Sequence, residues 1–174
     1  MKKITLLTLL LFASLSLFAQ KNNYQEVLSK NELKINMSNL IGFKWLDIGY
    51  ERILNEESSI GIGTLFSLDS SSEGLDEYRT FSITPYYRHF FSSKYAQGFF
   101  VEAFTMLHTG EDYFSNEYKQ NYTDLAVGIS VGKKWVSRRG FVAEIYAGIG
   151  RDMFDQSDLE VVGRGGVSIG YRFQ

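Results

Sequence analysis

The sequence predicts an all-β fold: an eight-stranded antiparallel up-and-down transmembrane β-barrel behind a cleaved signal peptide. Three observations predict it. The first residues have the layout of an export signal. From Asn31 onward, apolar and polar residues alternate with period two. Short links between the alternating segments interleave with longer ones.

The export signal comes first. Met1-Lys2-Lys3 is a basic start, and Ile4 to Phe18 is apolar apart from Thr5, Thr8, Ser14 and Ser16. Ala19 ends the run, and Gln20-Lys21-Asn22-Asn23 is abruptly polar. The apolar stretch is shorter than the roughly 20 residues a spanning helix needs, so it reads as a signal and not as an anchor. The division expected is a signal peptide at 1–19, a periplasmic lead-in at 20–31 and an outer-membrane barrel at 32–174.

Composition suits strands. Of the 174 residues, 14 are Phe and 11 are Tyr, and a single Pro stands against 16 Gly. Aromatic residues favour pleated surfaces, and Pro cannot donate to a strand ladder. Cys is absent, which excludes disulfides, zinc-thiolate sites, cysteine nucleophiles and a lipidated N-terminal cysteine. A net charge of -2 gives no electrostatic reason to expect nucleic acid.

The alternating segments are Glu32–Ile41, Lys44–Leu54, Ser59–Asp69, Arg79–Phe91, Gly98–His108, Tyr122–Val136, Phe141–Phe154 and Val161–Gln174. The links Asn55–Ser58, Ser92–Gln97 and Ser137–Gly140 are short. Those after Asp69, His108 and Phe154 are longer and polar, Thr109–Asn121 among them. Outer-membrane barrels place short turns in the periplasm and longer loops outside. Gly42-Phe43 breaks the pattern, being short where an outer loop belongs.

The faces decide which side meets lipid. In the sixth segment Leu125, Val127, Ile129, Val131 and Trp135 share one face, opposed by Asp124, Ala126, Gly128, Ser130, Gly132 and Lys134. The seventh sets Phe141, Ile145 and Ile149 against Glu144, Tyr146 and two glycines. The eighth sets Val167, Ile169, Tyr171 and Phe173 against Arg164, Ser168 and Arg172. A polar face rich in Gly and Ser suits the crowded interior of a narrow barrel, and a large apolar face with aromatic ends suits lipid.

With the polar faces inward, Glu51, Arg88, Glu102, Lys134, Glu144 and Arg172 fall at similar depth near the periplasmic strand ends. Asp47 and Arg164 lie nearer the outer half. Removing one partner from a buried ion pair costs about 3–5 kcal/mol, so balanced signs at one level predict a salt-bridge network. Glu102 is expected to pair with Arg88 or Lys134. A catalytic carboxylate pair would need an imbalance that separates the two acidities, which this balanced set lacks. Eight strands leave an interior just wide enough for side chains, so the lumen is expected to be plugged.

Other chemistry is thin. Of the two histidines, His89 joins Phe81, Ile83 and Tyr87 on the lipid face, and His108 ends the fifth segment at the outer rim. Ser92 and Ser93 follow His89 without a carboxylate on that face. Thr109, Glu111 and Asp112 follow His108. Neither makes a Ser-His-acid motif. Asp69, Glu73, Asp76 and Glu77 gather in or beside one outer loop, and Glu111, Asp112, Glu117 and Asp124 in or beside another. Their spacing matches no calcium loop, and they read as solvated. The GxG-like fragments at Gly61, Gly63, Gly148, Gly150, Gly163, Gly165 and Gly166 sit in strands with no helix to receive a phosphate.

The signal, the amphipathic strands and the final Gly170-Tyr171-Arg172-Phe173 resemble the OmpA/OmpX-type outer-membrane β-barrel superfamily. Asp47-Ile48-Gly49-Tyr50-Glu51-Arg52-Ile53-Leu54 resembles the second strand of an uncharacterised family of small barrels within it. Such barrels end in an aromatic residue read by the assembly machinery, and here Gln174 follows Phe173. The resemblance implies location and fold more than activity. The expected function is a non-enzymatic, monomeric outer-membrane barrel with a structural or surface-interaction role through its loops. Its expected partners are membrane lipid, lipopolysaccharide and the assembly machinery, with no metal or other cofactor. The alternatives are a lipid-modifying barrel enzyme using His108 or His89, and a soluble periplasmic ligand-binding barrel.

Overall fold

The computed structural model describes residues 29–68, 77–114, 118–154 and 161–174. The signal segment, positions 20–28 of the lead-in, and the loop acids Asp69, Glu73, Asp76 and Glu117 lie outside them. Eight antiparallel strands form a closed barrel: β1 (Asn31–Asn36), β2 (Trp45–Ile53), β3 (Ser58–Ser67), β4 (Glu77–Phe90), β5 (Gly98–Phe114), β6 (Tyr118–Val136), β7 (Phe141–Asp152) and β8 (Val161–Phe173). Each strand pairs with its sequence neighbours, and β1 closes the ring on β8 from Asn31↔Phe173 to Asn36↔Ser168. Asn31 therefore belongs to the barrel and not to the lead-in.

The first expected strand is divided. β1 stops at Asn36, and a short helix α1 (Met37–Phe43) follows. The Asn36 side chain accepts a hydrogen bond from the Asn39 N–H at 3.2 Å, the N-cap role for which Asn is well suited. Lys44 ends the helix in the left-handed conformation, φ 55°, and its N–H returns to the Asn39 carbonyl. The apolar residues Met37, Leu40, Ile41 and Phe43 continue the look of a strand, but the local cap sets a helical turn. Ile41 is 77% exposed on it. The apparently short Gly42-Phe43 link is thus the end of a helical connection.

A second expectation is also corrected. The described residues of Thr109–Asn121, 109–114 and 118–121, are strand and not loop. β5 and β6 stay paired to Phe114↔Tyr118, and β4 joins as far as Glu77↔Asp112. The β6–β7 ladder reaches only Ala126↔Asp152, so the β5–β6 hairpin projects beyond its neighbour. Tyr113, Phe114, Tyr118 and Thr123 are good strand formers, and main-chain pairing carries the interspersed charges with them. The single proline, Pro85, lies inside β4. It pairs with Ile62 of β3, while the β4–β5 ladder skips Thr84 and Pro85, the side on which a missing N–H is tolerated.

Side-chain parity sorts the residues cleanly. Large apolar residues cover the exterior, among them Ile129 at 61% and Ile149 at 60% exposure, with Val131, Trp135, Ile145, Phe141 and Tyr171. The interior holds charges, small residues and rings. Gly132 shows why small residues are needed there: a Cβ on it would lie 2.6 Å from both Phe100 Cζ and Tyr146 Cβ. Between β4 and β5, the link 91–97 folds inward. Ala96, at φ 41°, is fully buried with Ile53, Phe90, Phe100 and Tyr146, and its N–H donates to the Glu56 carbonyl at 2.7 Å. This turn closes one mouth of the barrel, called here the turn end. α1 and the projecting hairpin mark the opposite, helix end.

Candidate functional site

The candidate site is the barrel interior, and its two halves differ. The turn-end half holds a continuous ion-pair network to which every strand contributes. Period-two alternation brings Glu32 and Lys34 of β1, Glu51 of β2, Arg88 of β4, Glu102 of β5, Lys134 of β6, Glu144 of β7 and Arg172 of β8 inward, all buried. β3 supplies Ser59, whose hydroxyl donates to Glu51 at 2.6 Å.

Arg88 is the hub. Its Nε donates to Glu102 at 2.6 Å, and its Nη1 reaches Glu51 at 2.9 Å and Glu144 at 2.8 Å. Lys34 bridges Glu51 at 2.5 Å and Glu144 at 3.0 Å. Lys134 bridges Glu51 at 2.5 Å and Glu32 at 2.8 Å. Arg172 donates from Nε to Glu32 at 2.7 Å, and from Nη2 to the Ala96 carbonyl at 2.7 Å, tying the inward turn to the network. Charge-assisted bonds of this length are the strong ones, and each carboxylate meets more than one donor. Aromatic faces complete the packing. The Arg88 guanidinium lies 4.3 Å from the Phe100 ring centroid and 4.7 Å from that of Tyr86.

The charged residues read from alternation at this level therefore lie inside: Glu51, Arg88, Glu102, Lys134 and Glu144 are joined by direct ion pairs, and Arg172 joins them through Glu32. Glu102 takes Arg88, and its second cation is Arg164 at 2.9 Å, not Lys134. Glu32 and Lys34 were missed. Their spacing with Asn36 is the signal that could have found them, but the apolar α1 residues read as a continuation of the same strand and obscured its faces.

Towards the helix end the packing opens. A half-open cavity of about 440 Å³ lies above the network, with α1 at its rim. Its floor holds Asp47 and Arg164, and its walls include Trp45, Leu65, Ser82, Thr84 and Met106. Asp47 Oδ2 accepts from Asn36 Nδ2 at 3.0 Å and from Asn39 Nδ2 at 2.8 Å, so α1 is tied to the floor. Below it a void of about 20 Å³, space for a single water, lies among Lys34, Tyr86, Arg88 and Glu144. The interior is a cup with a closed base.

The histidines separate. His89 is half-buried on the outer face, its ring edge-on to Phe91 at 4.8 Å. His108 is not at a rim. β5 continues past it, its parity turns it inward, and it is 0% exposed. Its Nε2 and Asp152 Oδ1 are hydrogen-bonded at 2.9 Å, and its Nδ1 has no partner among the described residues. Ser82 is its direct neighbour across the β4–β5 ladder, but no hydroxyl is bonded to the ring. Asp124, expected beside a solvated loop, is likewise buried, and its Oδ1 accepts from the N–H groups of Leu125 and Phe154. A lipid-cleaving site needs a nucleophile on the base and access from lipid, and this dyad faces the interior. Comparison of the chain with family models, with curated proteins and with solved structures gave no match in any of the three.

Proposed function

We propose that this chain is a non-enzymatic outer-membrane barrel, exported by residues 1–19 and inserted with its helix end outward. Its lumen is closed by the ion-pair network, and its role is structural or one of surface interaction through the helix-end segments. One observation carries the reading: polarity is inverted. Charges fill the interior while Leu33, Ile62, Leu107, Val127, Ile129, Ile149 and Val167 stand outside.

In water each such side chain forgoes about 1.5–3 kcal/mol of burial free energy, so a soluble barrel would reverse the two faces. In lipid the same exterior is favourable, and a closed ladder leaves no strand edge unsatisfied in the hydrocarbon. Trp135, Phe141, Tyr171 and Phe173 sit near the turn-end strand ends, where an interfacial aromatic girdle belongs.

The test is fractionation of expressing cells, with mobility on heated and unheated gels. The expected result is recovery in the outer-membrane fraction with a heat-dependent mobility shift. Recovery in the soluble periplasmic pool would sink the reading in favour of a soluble barrel. The closed lumen makes a separate expectation: purified protein in a planar bilayer shows no steady conductance.

A further inference from the structure

We infer that the helix-end cup is a binding site for a small zwitterion with an apolar body, the chemistry of a hydrophobic α-amino acid or dipeptide. The inference starts from which atoms face the cavity. Arg164 spends only its Nε on Glu102, at 2.9 Å. Its Nη1 and Nη2 carry no hydrogen bond among the described residues. They lie beside Gly63, where a Cβ would be in ordinary van der Waals contact with them at 3.5 and 3.7 Å, and both residues line the cavity. A guanidinium edge with two parallel donors is the natural partner of a carboxylate.

Asp47 is the complement. Both of its amide donors, Asn36 and Asn39, go to Oδ2, which leaves Oδ1 as an acceptor on the same floor. An ionised carboxylate oxygen beside an unfilled guanidinium edge matches a ligand that carries both signs. Arg79 lines the cavity too but is engaged elsewhere, its Nη1 donating to the Gly163 carbonyl at 3.5 Å. On the floor itself, an anion alone would satisfy Arg164 and meet Asp47 unfavourably, and a cation alone would do the reverse.

The walls specify the rest of the ligand. Phe43, Trp45, Leu65 and Met106 supply apolar surface, with Phe43 stacked on Trp45 at 4.8 Å. A mostly apolar pocket with a few convergent polar groups, in the size range of about 300–1,000 Å³, is the usual form of a small-molecule site. The closed base makes this a site of capture and not of passage.

The chain provides its own reporter. Its tryptophans are Trp45, on the cup wall, and Trp135, on the outer apolar face. The experiment uses the full mature chain carrying Trp135→Phe, folded in maltoside micelles. Trp45 emission is titrated with L-leucine, L-leucyl-L-leucine, 4-methylpentanoate (the anion alone) and 3-methylbutylamine (the cation alone). Equilibrium dialysis with radiolabelled leucine and dipeptide runs in parallel, so a silent fluorophore decides nothing.

Saturable binding of leucine or the dipeptide is expected, with each single-charge analogue weaker by about tenfold or more, the scale of one charged hydrogen bond. Asp47→Asn keeps an oxygen for the two asparagine amides and turns the cavity-facing atom into a donor. It is expected to weaken the zwitterion by a similar factor while leaving 4-methylpentanoate unchanged or tighter. No retention of either zwitterion by dialysis overturns the proposal. So does 4-methylpentanoate binding as tightly as the zwitterion, or an Asp47→Asn barrel that folds and binds as before. Each failure would leave the membrane reading intact, since fractionation decides that separately.

Discussion

The two halves of the barrel interior are built from the same residue types at the same strand parity, yet one is filled and the other is a cup. At the turn end, interior glycines are covered by rings: Tyr86 lies against Gly61, and Phe100 and Tyr146 lie against Gly132. The charges there have no free direction left. Glu51 alone receives Lys34, Lys134, Arg88 and Ser59. At the helix end, Gly63 meets no ring: the side-chain atoms nearest to a Cβ there are the Arg164 guanidinium nitrogens, at 3.5 and 3.7 Å, and both residues line the cavity. A lumen charge is therefore a structural element or a binding group according to whether its neighbours saturate it. Residue type alone does not decide this.

Substitutions of comparable chemistry in the two halves should separate these roles. The largest effect is expected from Arg88→Ala, which removes the one guanidinium that Glu51, Glu102 and Glu144 share and leaves buried carboxylate oxygens without those donors. A loss of about 3–5 kcal/mol is expected, read as a fall in the urea midpoint of the folded barrel. A midpoint within error of wild type would show that the network adds no stability.

Glu102→Gln is milder. It keeps the shape but neutralises the acceptor of Arg88, Arg164 and Ser130. About 1.5–3 kcal/mol is expected, with reduced heat resistance of folded mobility on an unheated gel. No change in either measurement would count against an interior network of this kind.

Asn36→Ala probes the seam between the halves. It removes the cap of α1 and the amide that donates to Asp47 and to the Gly165 carbonyl. The expected loss is about 0.5–2 kcal/mol, read by the same urea midpoint. Protease nicking near α1 should appear before global unfolding, and its absence would mean that other contacts hold the helix.

The smallest effect is expected from Asp47→Asn. A charge is deleted from a buried position, but one that faces a cavity and retains an acceptor for its amide donors. A change of about 0.5–1.5 kcal/mol is expected, the scale of one hydrogen bond. A loss as large as that of Glu102→Gln would make Asp47 part of the lock and erase the distinction between the halves.

Closure also has a mechanical consequence. Because all eight strands contribute to the network, most of its ion pairs join strands distant in sequence, such as Arg172 with Glu32 and Lys134 with Glu51. Such pairs form only when the ring is complete, so the network rewards the closed barrel over any open sheet.

The sequence by itself determined the periodic part of this protein. Alternation marked the strands, assigned their inner and outer faces, and placed Glu51, Arg88, Glu102, Lys134, Glu144 and Arg172 on the inner one, because side-chain direction in a strand is a local property with period two. Where local signals competed, the reading failed. An asparagine cap turned the apolar run after Asn36 into a helix, and strand pairing carried β5 and β6 through a polar stretch. Only the tertiary structure decided the rest. It joined Lys34 to Glu144 and Arg88 to Glu51, turned Ala96 into the barrel mouth, buried His108 against Asp152, and left a cup above Asp47 and Arg164. These are contacts across a closed ring. They depend on barrel register and on which rings fill which glycine spaces, quantities to which no single stretch of chain has access.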